Sequence, residues 1–214
     1  RQVDGIIAVP LEGAEEALEQ ARAYRPLVLI DRTLGQIPAV LSDPHSGMKQ
    51  AVEQLKEKGH THIGYLSGPQ ETSTGRQRLH AFKTATRGMP THIHHGSYRH
   101  REGYKGAIAL LQEGVTALIA GDSMMTAGAL EACHNAGKRI GEEIALVGFD
   151  DFIYLRFQPS PISVVDQDVA RMGETATTKL IAAINDKHQP EGEVLETRYI
   201  PRMSTAHQLD GATP

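Results

Sequence analysis

The stretch Ile144–Asp151 (IALVGFDD) constrains this chain most, because an apolar run from Ile144 to Phe149 ends abruptly in two carboxylates. A short apolar run closed by polar residues reads as a parallel strand buried on both faces. Open α/β sheets take their ligands at the carboxyl ends of such strands. Asp150 and Asp151 are therefore expected where a small polar ligand is gripped. Asp31, Asp43 and Asp122 likewise follow the last apolar residue of an expected strand. An aspartate there often caps the next helix, which suits Asp43 ahead of the helix expected over Ser46–Lys58. Capping suits Asp31 and Asp150 poorly, since no clean helix follows either one.

The rest of the chain alternates in the same manner. Strands are expected over Val3–Pro10, Pro26–Ile30, Ala39–Leu41, Thr61–Leu66, Thr91–His95, Ala117–Ala120, Ser163–Val165 and Val194–Pro201, besides the run at Ile144. Helical spacing appears over Glu15–Tyr24, Ser46–Lys58, Thr74–Thr86, Glu102–Gln112, Met124–Asn135 and Val169–Asn185. Such alternation implies an α/β protein with a mostly parallel, doubly wound sheet. The stretch after Thr205 reads as a disordered tail.

Composition excludes several function classes. A net charge of −4 argues against this chain holding nucleic acid by itself. The single cysteine, Cys133, permits no internal disulfide, which fits a reducing compartment, and it reads as a small buried apolar residue. No stretch approaches the roughly 20 apolar residues of a membrane span, and the start lacks a signal-peptide pattern. A cytoplasmic protein with no membrane partner is expected, unless a leader was removed. No Walker loop, nucleophile elbow or GxGxxG after a strand is present, so neither catalysis nor a cofactor is expected. His92 and His94 share one strand face but lack cysteine or carboxylate partners, so no metal site is expected. Carboxylates and arginine forks at strand ends suit the hydroxyls of a sugar. Arg78, beside the inward-facing Leu79, is placed to lean into the crevice.

Eight collinear fragments together resemble the effector-binding core of the LacI/GalR family of bacterial transcriptional repressors. They are Val3–Ile7 (VDGII), Val28–Arg32 (VLIDR), Lys58–Pro69 (KGHTHIGYLSGP), Arg76–Phe82 (RQRLHAF), Ala120–Leu130 (AGDSMMTAGAL), Ile144–Asp151, Pro161–Asp168 (PISVVDQD) and Arg202–Thr205 (RMST). The resemblance implies two doubly wound lobes of the periplasmic-binding-protein-like type that clamp a small molecule, with three chain crossings between them. The first lobe is expected over 1–42 plus 163–190, the second over 43–162 plus 191–206, with a tail at 207–214. By position it implies effector contacts from Asp31, Arg32, Arg78, Tyr98, Asp122, Asp150 and Gln167. The effector would be a sugar-like molecule such as ribose, another pentose or a nucleoside.

The resemblance further implies a homodimer formed largely through Met124–Leu130. Effector binding would control operator DNA through an N-terminal headpiece that this sequence lacks. The family core usually begins two strands before the segment that starts here, so the first lobe is expected to be truncated and Arg1 not to be the native start. A solute-binding protein that feeds a transporter would use the same fold and site, and stands as the alternative.

Overall fold

The structure is a computed structural model and describes residues 3–11 and 13–207. The tail expected at 207–214 lies outside the described residues beyond His207. In chain order the elements are β1 (Ile6–Ala8), α1 (Glu15–Arg22), β2 (Leu27–Ile30), β3 (Ala39–Asp43), α2 (His45–Glu57), β4 (Ile63–Ser67) and α3 (Ser73–Ala85). Then come β5 (Thr91–His95), α4 (His100–Gln112), β6 (Ala117–Ala120), α5 (Ser123–Asn135), β7 (Ala145–Phe149) and α6 (Ile153–Arg156). The last are β8 (Ser163–Asp166), α7 (Val169–Asp186), β9 (Glu193–Glu196), β10 (Arg198–Ile200) and a short 3-10 turn at Met203–Thr205. The chain divides into two compact units, Arg1–Asp43 with Asp168–Leu195, and Pro44–Gln167 with Glu196–Pro214.

The first unit is built on a four-stranded sheet in the order β1-β2-β3-β9. Strands β1, β2 and β3 are mutually parallel. Alternation along β2 sends its side chains to opposite faces. Leu27 and Leu29 pack with Ile37, Ala39 and, from α1, Leu18 and Ala21. Val28 packs with Val40, Leu195 and three residues of α7, Met172, Ala176 and Leu180. Asp168 caps α7 by accepting from the Arg171 amide at 3.2 Å.

The second unit carries six strands in the order β10-β8-β7-β6-β4-β5. All neighbours are parallel except β10, which runs antiparallel to β8. Helices α2 and α3 cover one face, where Met48, Val52, Leu55 and Phe82 meet Ile63, Tyr65, Ile119 and Val147. Helices α4 and α5 cover the other, where Leu110, Met125, Ala129 and Cys133 meet Leu66, Leu118, Leu146 and Val164. Glycines let α4 and α5 approach closely: a β-carbon on Gly128 would lie 2.2 Å from the His100 carbonyl oxygen, and one on Gly103 would lie 2.5 Å from the Met125 Cα.

Several expectations need correction. Ser163–Asp166 pairs with β7 and β10, so it belongs to the second unit and not the first. The expected strand over Val194–Pro201 is two strands, because the chain leaves one sheet at Glu196 and enters the other at Arg198. The cap position of α2 falls on Pro44, which offers no side-chain hydrogen bond, so Asp43 ends β3 instead. Residues after Asp151 form the short helix α6 where no clean helix was expected. No helix among the described residues is long and apolar enough to cross a membrane. No group of three or more His, Cys, Asp or Glu among them is placed to hold a metal ion; His92 pairs with Glu113.

The α4–α5 contact gives a direct test of this packing. Gly128→Ala forces a methyl group against helix backbone, and overpacking of that kind costs about 2 kcal/mol. Urea denaturation should show a lower midpoint with an unchanged slope.

Candidate functional site

Four neighbouring strands of the second unit end on one edge, at Ser67, Ala120, Phe149 and Asp166. Arg78 reaches this edge from α3 and is 5% exposed. Its guanidinium lies 3.9 Å from the centre of the Phe149 ring, a cation–π contact that favours the buried charge. One terminal nitrogen donates to the Gly121 carbonyl at 2.9 Å. The other donates to Gln167 Oε1 at 3.3 Å. Arg78 thereby links the ends of β6, β7 and β8. Gln167 is also buried and is the last residue before the chain passes to the first unit.

Asp150 follows Phe149 directly, is 7% exposed, and holds a left-handed backbone with φ of +63°. Its amide donates to the Val165 carbonyl at 2.9 Å, so the strand ladder is closed before the chain turns. A non-glycine residue in this conformation is uncommon, with Asp and Asn tolerating it best. Asp31 has the same conformation, with φ of +70°, at the end of β2 in the first unit. There its carboxylate pairs with the Arg32 side chain at 3.6 Å.

Asp122 does something the strand-end pattern did not reveal. It is the N-cap of α5, and its carboxylate accepts from the amides of Met124 at 2.8 Å and Met125 at 3.3 Å. Tyr98 sits on the loop after β5, where its ring packs over Gly68, and a β-carbon on that glycine would come within 2.1 Å of the ring. The Tyr98 hydroxyl donates to Thr74 Oγ1 at 3.3 Å, and the ring centre lies 6.0 Å from the Arg78 guanidinium carbon. Thus Arg78, Tyr98, Asp122, Asp150 and Gln167 all stand at one edge of the second sheet. Asp31 and Arg32 stand at a strand end of the first unit.

Sequence reasoning missed three members of this edge. Phe149 is the platform under Arg78, Thr74 receives the Tyr98 hydroxyl, and Tyr65 is a buried phenol on β4. Burial pushes the Tyr65 phenol well above its usual pKa, although the Arg78 charge opposes the shift. The one polar-tipped side chain inside the run Ile63–Leu66 was the available signal.

Asp151 has a different task from Asp150. Its carboxylate accepts from Arg156 at 2.7 Å and from Arg202 at 2.6 Å, and Arg202 also donates to the Ile162 carbonyl at 2.8 Å. The C-terminal segment is thereby tied to the loop that follows β7. Burial alone would raise the Asp151 carboxyl, but hydrogen bonds from Arg156 and Arg202, with their charges, hold it below the usual range. Away from this edge, Cys133 is fully buried and burial pushes its thiol up to about 11. His60 is also buried, which lowers its pKa, and its ring shares a hydrogen bond with Thr116 Oγ1 at 3.1 Å.

The chain matches the family model described as a periplasmic binding protein-like domain over residues 52–205. The crystal structure of a probable LacI family transcriptional regulator from Corynebacterium glutamicum is 40% identical, with a TM-score of 0.87, over 95% of this chain and 77% of that one. A putative ribose operon repressor from Burkholderia thailandensis is 33% identical, with a TM-score of 0.80, over 93% of this chain and 78% of that one. Among curated proteins, the HTH-type transcriptional repressor PurR of Escherichia coli is 28% identical over 96% of this chain. The chain spans 64% of the length of that relative.

Loss of the Asp151 pairing should show in the acid limb of stability. A carboxyl whose folded pKa is depressed contributes stability that is complete above its unfolded value, about 3.9. That stability is lost as pH falls through the folded value. Asp151→Asn should cost about 2 kcal/mol at pH 7, as expected for charge-assisted hydrogen bonds. In a denaturation series the deficit should begin to shrink as pH falls below the unfolded value and vanish once pH lies below the depressed folded value.

Proposed function

Because this chain belongs to the LacI/GalR family of transcriptional regulators, as its effector-binding core, we propose that it senses a small unphosphorylated sugar or nucleoside. The carrying observation is the buried Arg78, which spans Gly121 and Gln167 on the platform of Phe149, one residue from Asp150. An arginine fork offers donors to ring or hydroxyl oxygens, and a carboxylate beside it accepts from vicinal hydroxyls. Tyr98 supplies an aromatic face for a sugar ring. Asp31 and Arg32 are the proposed contacts from the first unit. The relative named as a ribose operon repressor makes a pentose the first candidate.

The activity is binding, with no turnover. Effector occupancy is proposed to shift the balance between two arrangements of the units, and so to control DNA binding by a headpiece attached to this core. A ligand can do this only through different affinities for the two arrangements. The functional form is proposed to be a cytoplasmic homodimer. Support comes from the exposed apolar side chains Met124, Phe152, Ile153, Tyr154 and Phe157, on α5 and around α6, in a family of regulators.

A thermal-shift screen of pentoses, hexoses, nucleosides and sugar phosphates tests the sensing role. A true effector at 100 times its Kd should stabilise the protein by about 2.7 kcal/mol. Arg78→Met and Asp150→Asn should each remove that shift, and retention of the shift in both would defeat the site assignment. For the dimer, Met124→Glu should move the sedimentation coefficient from dimer to monomer. An unchanged value would place the interface elsewhere.

A further inference from the structure

We infer that Tyr65 reads the effector from beneath the strand-end cluster, its hydroxyl exchanging a hydrogen bond with one ligand hydroxyl or with the water that hydroxyl holds. The inference rests on the reading that Arg78 and Asp150 grip a polyhydroxylated ligand.

Packing alone does not call for a tyrosine at this position. The Tyr65 ring stacks on Phe82 with centroids 4.5 Å apart and planes 11° from parallel. A phenylalanine would keep that stack and fill the same space. Tyr65 is 0% exposed, and its hydroxyl has no hydrogen-bond partner among the described residues. A buried hydroxyl left unpaired is costly relative to an apolar group of the same shape. The group is therefore a liability to the core unless something else uses it.

Its location says what can use it. A β-carbon built on Gly121 would fall 2.8 Å from the Tyr65 hydroxyl, so the hydroxyl lies against the end of β6. The carbonyl of that same Gly121 accepts from Arg78. Arg78, Tyr98 and Asp122, three of the candidate contacts, lie near enough to bias the phenol electrostatically. A β-carbon on Gly121 would also fall 2.7 Å from the Leu66 carbonyl oxygen, so only glycine lets the phenol come this close to the end of β6. The hydroxyl thus lies at the strand-end edge where the effector is proposed to bind, beside the residue whose carbonyl holds Arg78.

Chemistry distinguishes Tyr65 from its neighbours. Arg78 can only donate, and ionised Asp122 and Asp150 can only accept. The phenol stays neutral and does both, which matches a sugar hydroxyl that also does both. A site built to hydrogen-bond a hydroxyl rejects the analogue that lacks it, because its own buried group is then left unpaired.

The test compares wild type, Tyr65→Phe and Arg78→Met by isothermal titration. The ligands are D-ribose, the other members of the sugar and nucleoside panel, and the monodeoxy analogues of whichever binds. Thermal melts of the unliganded proteins accompany the titrations. The expected result has three parts. Unliganded Tyr65→Phe melts at or above wild type, its Kd weakens at least tenfold, and it no longer discriminates against one deoxy analogue that wild type rejects. A merely structural tyrosine would leave that discrimination intact. Tyr65→Phe binding within twofold of wild type, while Arg78→Met loses binding, overturns the role of Tyr65 and leaves the sensing site standing. A Tyr65→Phe melt clearly below wild type also overturns it, since the hydroxyl would already be satisfied in the core. If Arg78→Met binds as wild type does, or no panel member binds wild type, the sensing reading fails and the role of Tyr65 falls with it.

Discussion

A guanidinium withdrawn from water sets the terms for the ends of the second sheet. Burying an unpaired charge costs several kcal/mol even after relaxation, so Arg78 is tolerable only where several groups meet it at once. The Phe149 ring lies under it, the Gly121 carbonyl accepts from one nitrogen, and Gln167 accepts from another. These partners come from the ends of three strands. They reach one point only because β6, β7 and β8 run parallel and finish on the same edge. A planar fork with several fixed donors can serve such a spread of partners, whereas a lysine ammonium on a flexible stem would not. The parallel sheet and the buried arginine are thus one constraint seen from two sides.

The two strand-end aspartates carry a related lesson. Asp31 and Asp150 both adopt left-handed backbones, in different units, at the same relative place after a strand. Holding a side-chain-bearing residue there costs roughly 1–3 kcal/mol and persists where the surroundings over-determine it. The gain is directional, because the turn redirects the chain at once and leaves the carboxylate at the strand's end. Asp122 shows the contrast, since an extended backbone there lets its carboxylate bend onto the next helix and serve as a cap.

Much of this was legible in the sequence because apolar runs closed by Asp mark buried parallel strands. The alternation of elements, the spans of α2 and α7, and the placing of Arg78 beside the inward-facing Leu79 all follow from local periodicity. Other features depend on partners far away in the chain. Nothing near Ser163 states that it joins β7 rather than the first sheet, since register with a distant strand decides that. The split of Val194–Pro201 between two sheets has the same origin. The capping role of Asp122 was hidden because a cap and a strand-end carboxylate look alike until backbone angles are known. Tyr65 passed as one more aromatic in an apolar run because the cost of its hydroxyl appears only when the fold shows it buried without a protein partner among the described residues.

The lone cysteine has a practical consequence. Cys133 sits in the α5 face of the second unit's core, fully buried, with its thiol pushed up to about 11. Near neutral pH it is shielded from a thiol reagent and scarcely ionised, so modification must wait for α5 to leave the sheet. With no second thiol in the sequence, the time course of labelling is a clock for the opening of this one unit. The chain thereby contains, without any engineered probe, a means of timing how tightly the helices behind the proposed sensing edge are held.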